Sequence, residues 1–299
     1  MSKKTNFGKI NGREAMVVGI IIVMVALFSI LSPTFRTYST FVSVLDMSYY
    51  IALMAIGVTF TLITGGVDLS IGTGLICYSL FGGYLIVHKD VPVVVALIAC
   101  LVLSILIGAL NGLLVAIMDL PPFLATLCTC MITRGLGSLL SGGFGVSWPS
   151  SLEPEGWFRK IFRFTINGKV IPIGIVVVVV LVLLMNFVLN HTKIGRYTIA
   201  IGSNKEAAAL SGINTKFYHV MVYVVCGLFT GLAAIAYAAV TPTVQPGTGA
   251  GLEMDAIGGV FVGGVAATGG YGSVIGTFVG IFVIMLLKTG LPYIGLQAN

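Results

Sequence analysis

Nine apolar runs follow one another along this 299-residue chain, at about 15–31, 48–64, 70–88, 93–118, 123–141, 171–190, 217–240, 256–268 and 273–290. Most reach the ~20 residues that a helix needs to cross a bilayer. In lipid a backbone has to satisfy its own N–H and C=O groups, which a helix does within one segment. The run at 256–268 is too short to cross and reads as a half-helix or a re-entrant segment. Composition agrees: 57% of residues are hydrophobic and 9% charged, against roughly 25% charged in a soluble domain. The expected fold class is all-α, a polytopic integral membrane protein with about nine transmembrane or half-spanning helices in a single domain over 1–299.

Charge sets the expected orientation. Lys3, Lys4, Lys9 and Arg13 precede the first run, so the tail over 1–14 is expected in the cytoplasm. No A-x-A-like site follows that run, which argues against a cleaved signal peptide. Counting one crossing per run puts the 142–170 loop outside and the 191–216 loop inside. The inner loop holds Lys193, Arg196, Lys205 and Lys216 against Glu206; the outer loop holds Arg159, Lys160, Arg163 and Lys169 against Glu153 and Glu155. The bias agrees with the count by a small margin. The net charge of +6 is scattered at the edges of runs and is no nucleic-acid signature.

Several chemistries find no support. Cys77, Cys100, Cys128, Cys130 and Cys226 all lie inside apolar runs and read as buried small hydrophobes, without a disulfide framework. Cys128-Thr-Cys130 lacks the second pair and the nearby His of a metal site. His88, His191 and His219 stand apart, each at a predicted membrane edge. No nucleophilic triad or carboxylate pair is recognisable, so the chain does not read as an enzyme. Leu140-Ser141-Gly142-Gly143 matches the start of an ATPase signature, yet the chain has no G-x-x-x-x-G-K-S/T phosphate loop. Any nucleotide chemistry has to be borrowed.

Residues 193–213 form a polar, turn-rich island between two long apolar runs. Ser203 and Glu206 have the S-x-x-E spacing of a capping box. Ala207, Ala208, Ala209 and Leu210 supply good helix formers, and Gly212 stands where a left-handed stop is expected. A short capped helix in a loop reads as a surface offered to a partner; an ordinary connector is the plainer alternative.

Two further segments break the apolar pattern. In Gly65-Gly66-Val67-Asp68-Leu69-Ser70-Ile71-Gly72 the paired glycines end one helix, and Asp68 or Ser70 is placed to N-cap the next. An acid at a membrane edge also invites a functional reading. In the second, Glu253 and Asp255 precede or open the next helix, where its dipole favours negative charge, and a glycine-rich hairpin runs on through Gly272. For both acids a capping role is the simpler reading, although helices broken near such glycines commonly line substrate pathways. Arg134 is the one basic residue well inside a run, and it is expected to snorkel or pair. Small-xxx-small spacings at Gly108/Gly112, Gly227/Gly231, Gly259/Gly263 and Gly272/Gly276/Gly280 let helix backbones approach closely. Packing within one subunit is the plain reading, a moving pathway or dimer interface the alternative.

The Gly66–Gly72 stretch, the Phe123-Leu-Ala-Thr-Leu segment ending in Thr133-Arg134-Gly135, the Gly195–Ile213 loop and the Glu253–Gly272 block occur in this order. Together they resemble the permease subunits of ATP-binding-cassette importers for simple sugars, the ribose/galactose/xylose branch, over nearly the whole chain. The resemblance implies a multi-pass permease of the bacterial cytoplasmic (inner) membrane that forms the pathway for a monosaccharide. It implies three partners: a cytoplasmic ATPase subunit, an extracytoplasmic sugar-binding protein and a second permease copy, identical or related. This chain would bind no cofactor, ATP and Mg²⁺ being used by the ATPase. By the same resemblance the loop is the coupling element, carried by Gly195, Arg196, Gly202, Ser203, Asn204, Glu206, Ala207, Ala208, Leu210, Ser211 and Gly212. The pathway or helix-break candidates are Gly66, Asp68, Ser70, Arg134, Glu253, Asp255, Gly269 and Gly270. A self-contained secondary transporter or facilitator for a small polar solute is the alternative, and a secondary transporter would need more ionisable groups inside its spans. Similar permeases usually carry a further span beyond the segment that starts at Gly290, so a C-terminal helix is expected to be missing.

Overall fold

The computed structural model describes residues 12–296, with side chains from Met16 onward. Lys3, Lys4, Lys9 and most of the expected N-terminal tail lie outside this description, as does the side chain of Arg13. Eleven α-helices carry the described fold: α1 (Gly12–Leu31), α2 (Tyr38–Ile63), α3 (Ile71–Lys89), α4 (Val93–Ala116), α5 (Pro122–Leu140), α6 (Gly174–His191), α7 (Lys193–Ser203), α8 (Lys205–Leu210), α9 (Thr215–Val240), α10 (Leu252–Val262) and α11 (Val274–Tyr293). Seven of them, α2 to α6 with α9 and α11, are long and apolar enough to cross a membrane. With α1 and the 11-residue α10 they account for the nine runs.

Burial ranks the helices. The apolar window of α2 is 83% buried and that of α3 67%, whereas α4 and α6 each reach 28%. α2 is therefore the axis of the molecule, walled by α9, α11 and α10, and the outer faces of α4 and α6 are left for lipid. α2 begins ten residues before its apolar run, at Tyr38. Thr37 caps it by accepting the Thr40 N–H, and Asp46 in the added turns is buried.

The small-residue spacings pack within the subunit. A Cβ on Gly108 would lie 3.0 Å from Gly227 Cα, and one on Gly227 the same distance from Gly108 Cα. Neither side can accept a side chain, so α4 and α9 cross backbone to backbone. Gly263 faces the Gly276 carbonyl and Gly280 the Gly259 carbonyl, which closes α10 onto α11 in the same way.

Polar structure collects at the two ends. At one end β1 (Val146–Ser147) pairs antiparallel with β4 (Thr243–Val244), and β2 (Phe164–Ile166) with β3 (Lys169–Ile171). A 3-10 turn over Pro154–Ile161 lies between. At the other end sit α7, α8 and the hairpin between α10 and α11.

Candidate functional site

The loop island is two helices rather than one. Thr192 alone separates α6 from α7, and its side chain accepts the Gly195 N–H. Gly195 is required at this bend because a Cβ there would strike the Leu189 carbonyl. The predicted cap is also displaced. Asn204, not Ser203, caps α8, its Oδ1 accepting the Ala207 N–H at 2.9 Å. Ser203 closes α7 instead, and its hydroxyl donates back to Ile199 O. The Ser203–Glu206 capping box is therefore not formed; Glu206 stands in the first turn of α8. Gly212 has φ +80° and ends α8 as expected, with Ser211 as its C-cap. Only Ala208 of α8 is buried; Glu206 and Ala207 are exposed, and Leu210 is 90% exposed. Arg196 is exposed on α7.

This island touches both helix breaks. Gly202 packs against Ile63 O, the last carbonyl of α2, and lies beside Gly270 N. Gly270 N donates to that same Ile63 O at 2.8 Å. Gly269 and Gly270 adopt φ of +81° and +78°, a left-handed conformation that costs glycine little.

From Ile63 the chain runs through Gly65 and Gly66 back into the bundle. Val67 O accepts the hydroxyl of Tyr223 on α9 at 3.3 Å. Asp68 is 2% exposed, and the N-cap predicted for it is not made. Its Oδ1 accepts the Ser70 N–H at 2.9 Å and the Ser70 hydroxyl at 2.6 Å. Ser70 makes no side-chain cap either. Asn111 of α4 completes the cluster, donating to Ser70 Oγ at 2.9 Å, while its Oδ1 accepts the Thr129 hydroxyl of α5 at 2.6 Å. Asn111 and Thr129 escape sequence reading because single polar residues in apolar runs carry no periodic signal.

Both short starts lie deep in the bundle. Thr73, two residues into α3, bonds Cys130 O and Thr133 Oγ1. Cys130 is eight residues along α5, or about 12 Å at 1.5 Å per residue. α10 begins beside it: Glu253 Oε1 accepts the Gly251 N–H at 3.1 Å, and its Oε2 rests against Gly72. The carboxylate thus bonds at its own helix start, while Oε2 is buried against the first turn of α3 with no hydrogen-bond partner among the described residues. Asp255 does not cap; it forms an ion pair with Lys288 of α11. Arg134 is exposed on α5, beside a narrow crevice lined by Thr73, Gly137, Pro246 and Gly249. Among the described residues it makes no ion pair. Cys128 corrects the expectation for the thiols, since it is exposed on the outer face of α5 while the other four are buried.

The opposite end is bound by arginines that the sequence placed in a loop. Arg159 is 8% exposed. It donates to Pro149 O at 2.7 Å, Ala239 O at 3.0 Å, Thr241 O at 3.2 Å and Trp148 O at 3.3 Å. Burial, and then repulsion from Arg163, pulls its guanidinium below the usual arginine range. Arg163 pairs with Asp46 of α2 at 2.8 Å and donates to Val240 O at 3.2 Å. The last carbonyls of α9 are thereby satisfied by cations, which the helix dipole favours. A cleft of about 530 Å³ opens among Trp148, Glu153, Arg159, Arg163 and Pro242.

Comparison with known proteins agrees with this architecture. The family described as "Branched-chain amino acid transport system / permease component" matches residues 40–299. The ribose import permease protein RbsC of Escherichia coli is 34% identical over 285 residues, covering 93% of this chain and 85% of that protein. RbsC of Bacillus subtilis is 32% identical, covering 92% of this chain and 84% of that protein. The galactose/methyl galactoside import permease protein MglC of Haemophilus influenzae is 30% identical, covering 93% and 86%. No solved structure matches. With the family spanning all but the first 39 residues, and nine apolar helices built around small-residue crossings, this chain belongs to the permease-component family as a multi-pass transport subunit of the bacterial cytoplasmic membrane, not an enzyme.

Proposed function

We propose that this chain is the permease of an ATP-binding-cassette importer for a monosaccharide, and that α8 is the helix on which a separate ATPase subunit docks. The substrate class rests on relatives named for the import of ribose, fructose and galactose. One observation carries the docking assignment: α8 stands clear of the bundle with Leu210 90% exposed, yet α7, one residue before it, is packed against both helix breaks. A helix with an unburied apolar tip and a firm inner attachment suits a contact that receives force.

In this reading the α7–α8 end faces the cytoplasm and the arginine-bound 142–170 loop faces outward, toward a sugar-binding protein. Two permease copies enclose the pathway, with the deep starts of α3 and α10 beside it. Their positive helix ends and the Glu253 carboxylate offer donors and acceptors to a sugar's hydroxyl groups. Arg134, Asp255, Gly66, Ser70, Gly269 and Gly270 belong to the same moving region. ATP and Mg²⁺ are handled by the ATPase.

The test is co-purification of the ATPase with a Glu206→Trp/Ala207→Trp double variant in mild detergent. Both positions are exposed, so the permease itself should fold and be recovered at normal yield. Association is expected to be abolished, and wild-type recovery of the ATPase would overturn the assignment.

A further inference from the structure

One carbonyl organises the inner attachment of α7. Ile63 O accepts the Gly270 N–H and is also the atom that a Cβ on Gly202 would strike, with Gly270 N only 2.6 Å from that Cβ. A Cβ on Gly269 would lie 2.9 Å from both Ile63 O and Gly65 N, and one on Gly270 2.7 Å from Ser203 Oγ. Gly65, Gly269 and Gly270 are left-handed. Three segments distant in sequence therefore meet largely backbone to backbone around one oxygen, the one side chain at the contact being the short Ser203, whose hydroxyl lies 3.5 Å from Gly270 O.

Each segment leads directly to a deep helix start. From Ile63 the chain reaches α3 through Gly65–Ser70; from Gly270 the hairpin joins α10 and α11. The surroundings are braced. Thr59 of α2 shares a 2.9 Å hydroxyl contact with Thr277 of α11, and Gly272 admits the Ile63 side chain. From α9, Tyr223 holds Val67 O, and the His219 ring lies over Tyr223 with centroids 6.1 Å apart. Gly66 leaves the room for this, since a Cβ there would sit 2.6 Å from the Tyr223 hydroxyl.

We infer that the Gly202–Ile63–Gly270 junction is where displacement of the docked α7–α8 pair enters the membrane, carrying the starts of α3 and α10 together as one rigid body. The inference rests on the docking reading above. Its physical basis is that side-chain contacts absorb a displacement by changing rotamer, whereas close-packed backbones do not.

The experiment uses the complete importer, permease with ATPase and binding protein, reconstituted in lipid vesicles and supplied with radiolabelled ribose, fructose or galactose, whichever the binding protein retains. Gly202→Ala inserts a methyl group at the junction and leaves the exposed face of α8 unchanged. ATPase recovery is expected at the wild-type level and ATP hydrolysis within about twofold, while sugar imported per ATP falls at least tenfold. Wild-type import per ATP would overturn the inference. Loss of ATPase association in this variant would also overturn it, because the junction would then only shape the docking surface. Retained association in Glu206→Trp/Ala207→Trp would instead sink the docking reading itself, so the two failures are distinguishable. A second measurement needs no variant: hydrogen exchange at the Gly270 amide in the wild-type importer, nucleotide-free and trapped with ATP and vanadate. Equal protection in both states is expected, and loss of protection in either would show that the contact breaks and that the body is not rigid.

Discussion

The two ends of the bundle are held by different physics. At the arginine end the loop is fixed by charge: Arg159 reaches four carbonyls, Arg163 pairs with Asp46, and the Tyr38 hydroxyl donates to Val170 O at 2.7 Å. At the α7–α8 end the attachment is mainly steric: glycines pack on one carbonyl that accepts a single backbone hydrogen bond, Ile201 is buried, and Tyr197 meets Tyr218 of α9 edge-on. Directional bonds to a desolvated cation fix a geometry and resist any movement within it. Steric contact between bare backbones permits a whole segment to shift while keeping its neighbours in step. The first arrangement suits a closed cover, the second a part that moves.

Substitutions can break this contrast. Arg159→Ala should have the largest effect, because it strips several carbonyls of their donor and empties a buried volume. About 3 kcal/mol of stability should be lost, read as a large drop in the unfolding temperature of the detergent-solubilised permease. If stability changes by less than 1 kcal/mol, the arginine end is not held as described.

Asp46→Ala comes next. It leaves Arg163 without its anion beside a buried site, at a cost of about 2 kcal/mol. In the Asp46→Ala/Arg163→Ala cycle the coupling energy should be about 1 kcal/mol, Arg163 being partly exposed. Additive losses would mean that the pair contributes only through packing.

The smallest effects separate the two residues before α8. Asn204→Ala removes the observed cap and should cost α8 about 1 kcal/mol, weakening ATPase binding roughly fivefold. Ser203→Ala should change binding by less than twofold, its hydroxyl serving α7 through Ile199 O at 2.9 Å and reaching Gly270 O only at 3.5 Å. A larger effect from Ser203 than from Asn204 would restore the capping box that the structure displaces.

Much of this was legible in the residues themselves. The apolar runs located the seven helices of membrane-crossing length, because lipid demands that length, together with α1 and α10, and the small-xxx-small spacings marked the surfaces where α4 meets α9 and α10 meets α11. The short α10 was visible as a run too brief to cross. The start of α2 was not, because Ser39, Thr40, Ser43 and Asp46 dilute its hydropathy and are tolerated through contacts made elsewhere. α7 was hidden because the stretch is polar and glycine-bearing and reads as a turn-rich island, yet Gly195 and Gly202 are the residues that let α7 approach other backbones.

The sequence by itself determined that this chain spans a membrane many times, which faces can pack closely, and where its helices break. Length, hydropathy and glycine spacing are local quantities, and the bilayer converts them directly into structure. Only the tertiary structure decided that Asp68 is tied to Asn111 rather than capping α3, that Glu253 packs against Gly72 at the start of α3, and that Gly202 and Gly270 meet at Ile63. Those partners are 43, 181 and 68 residues apart, and in helices apolar on every side no periodicity reports which face will meet which.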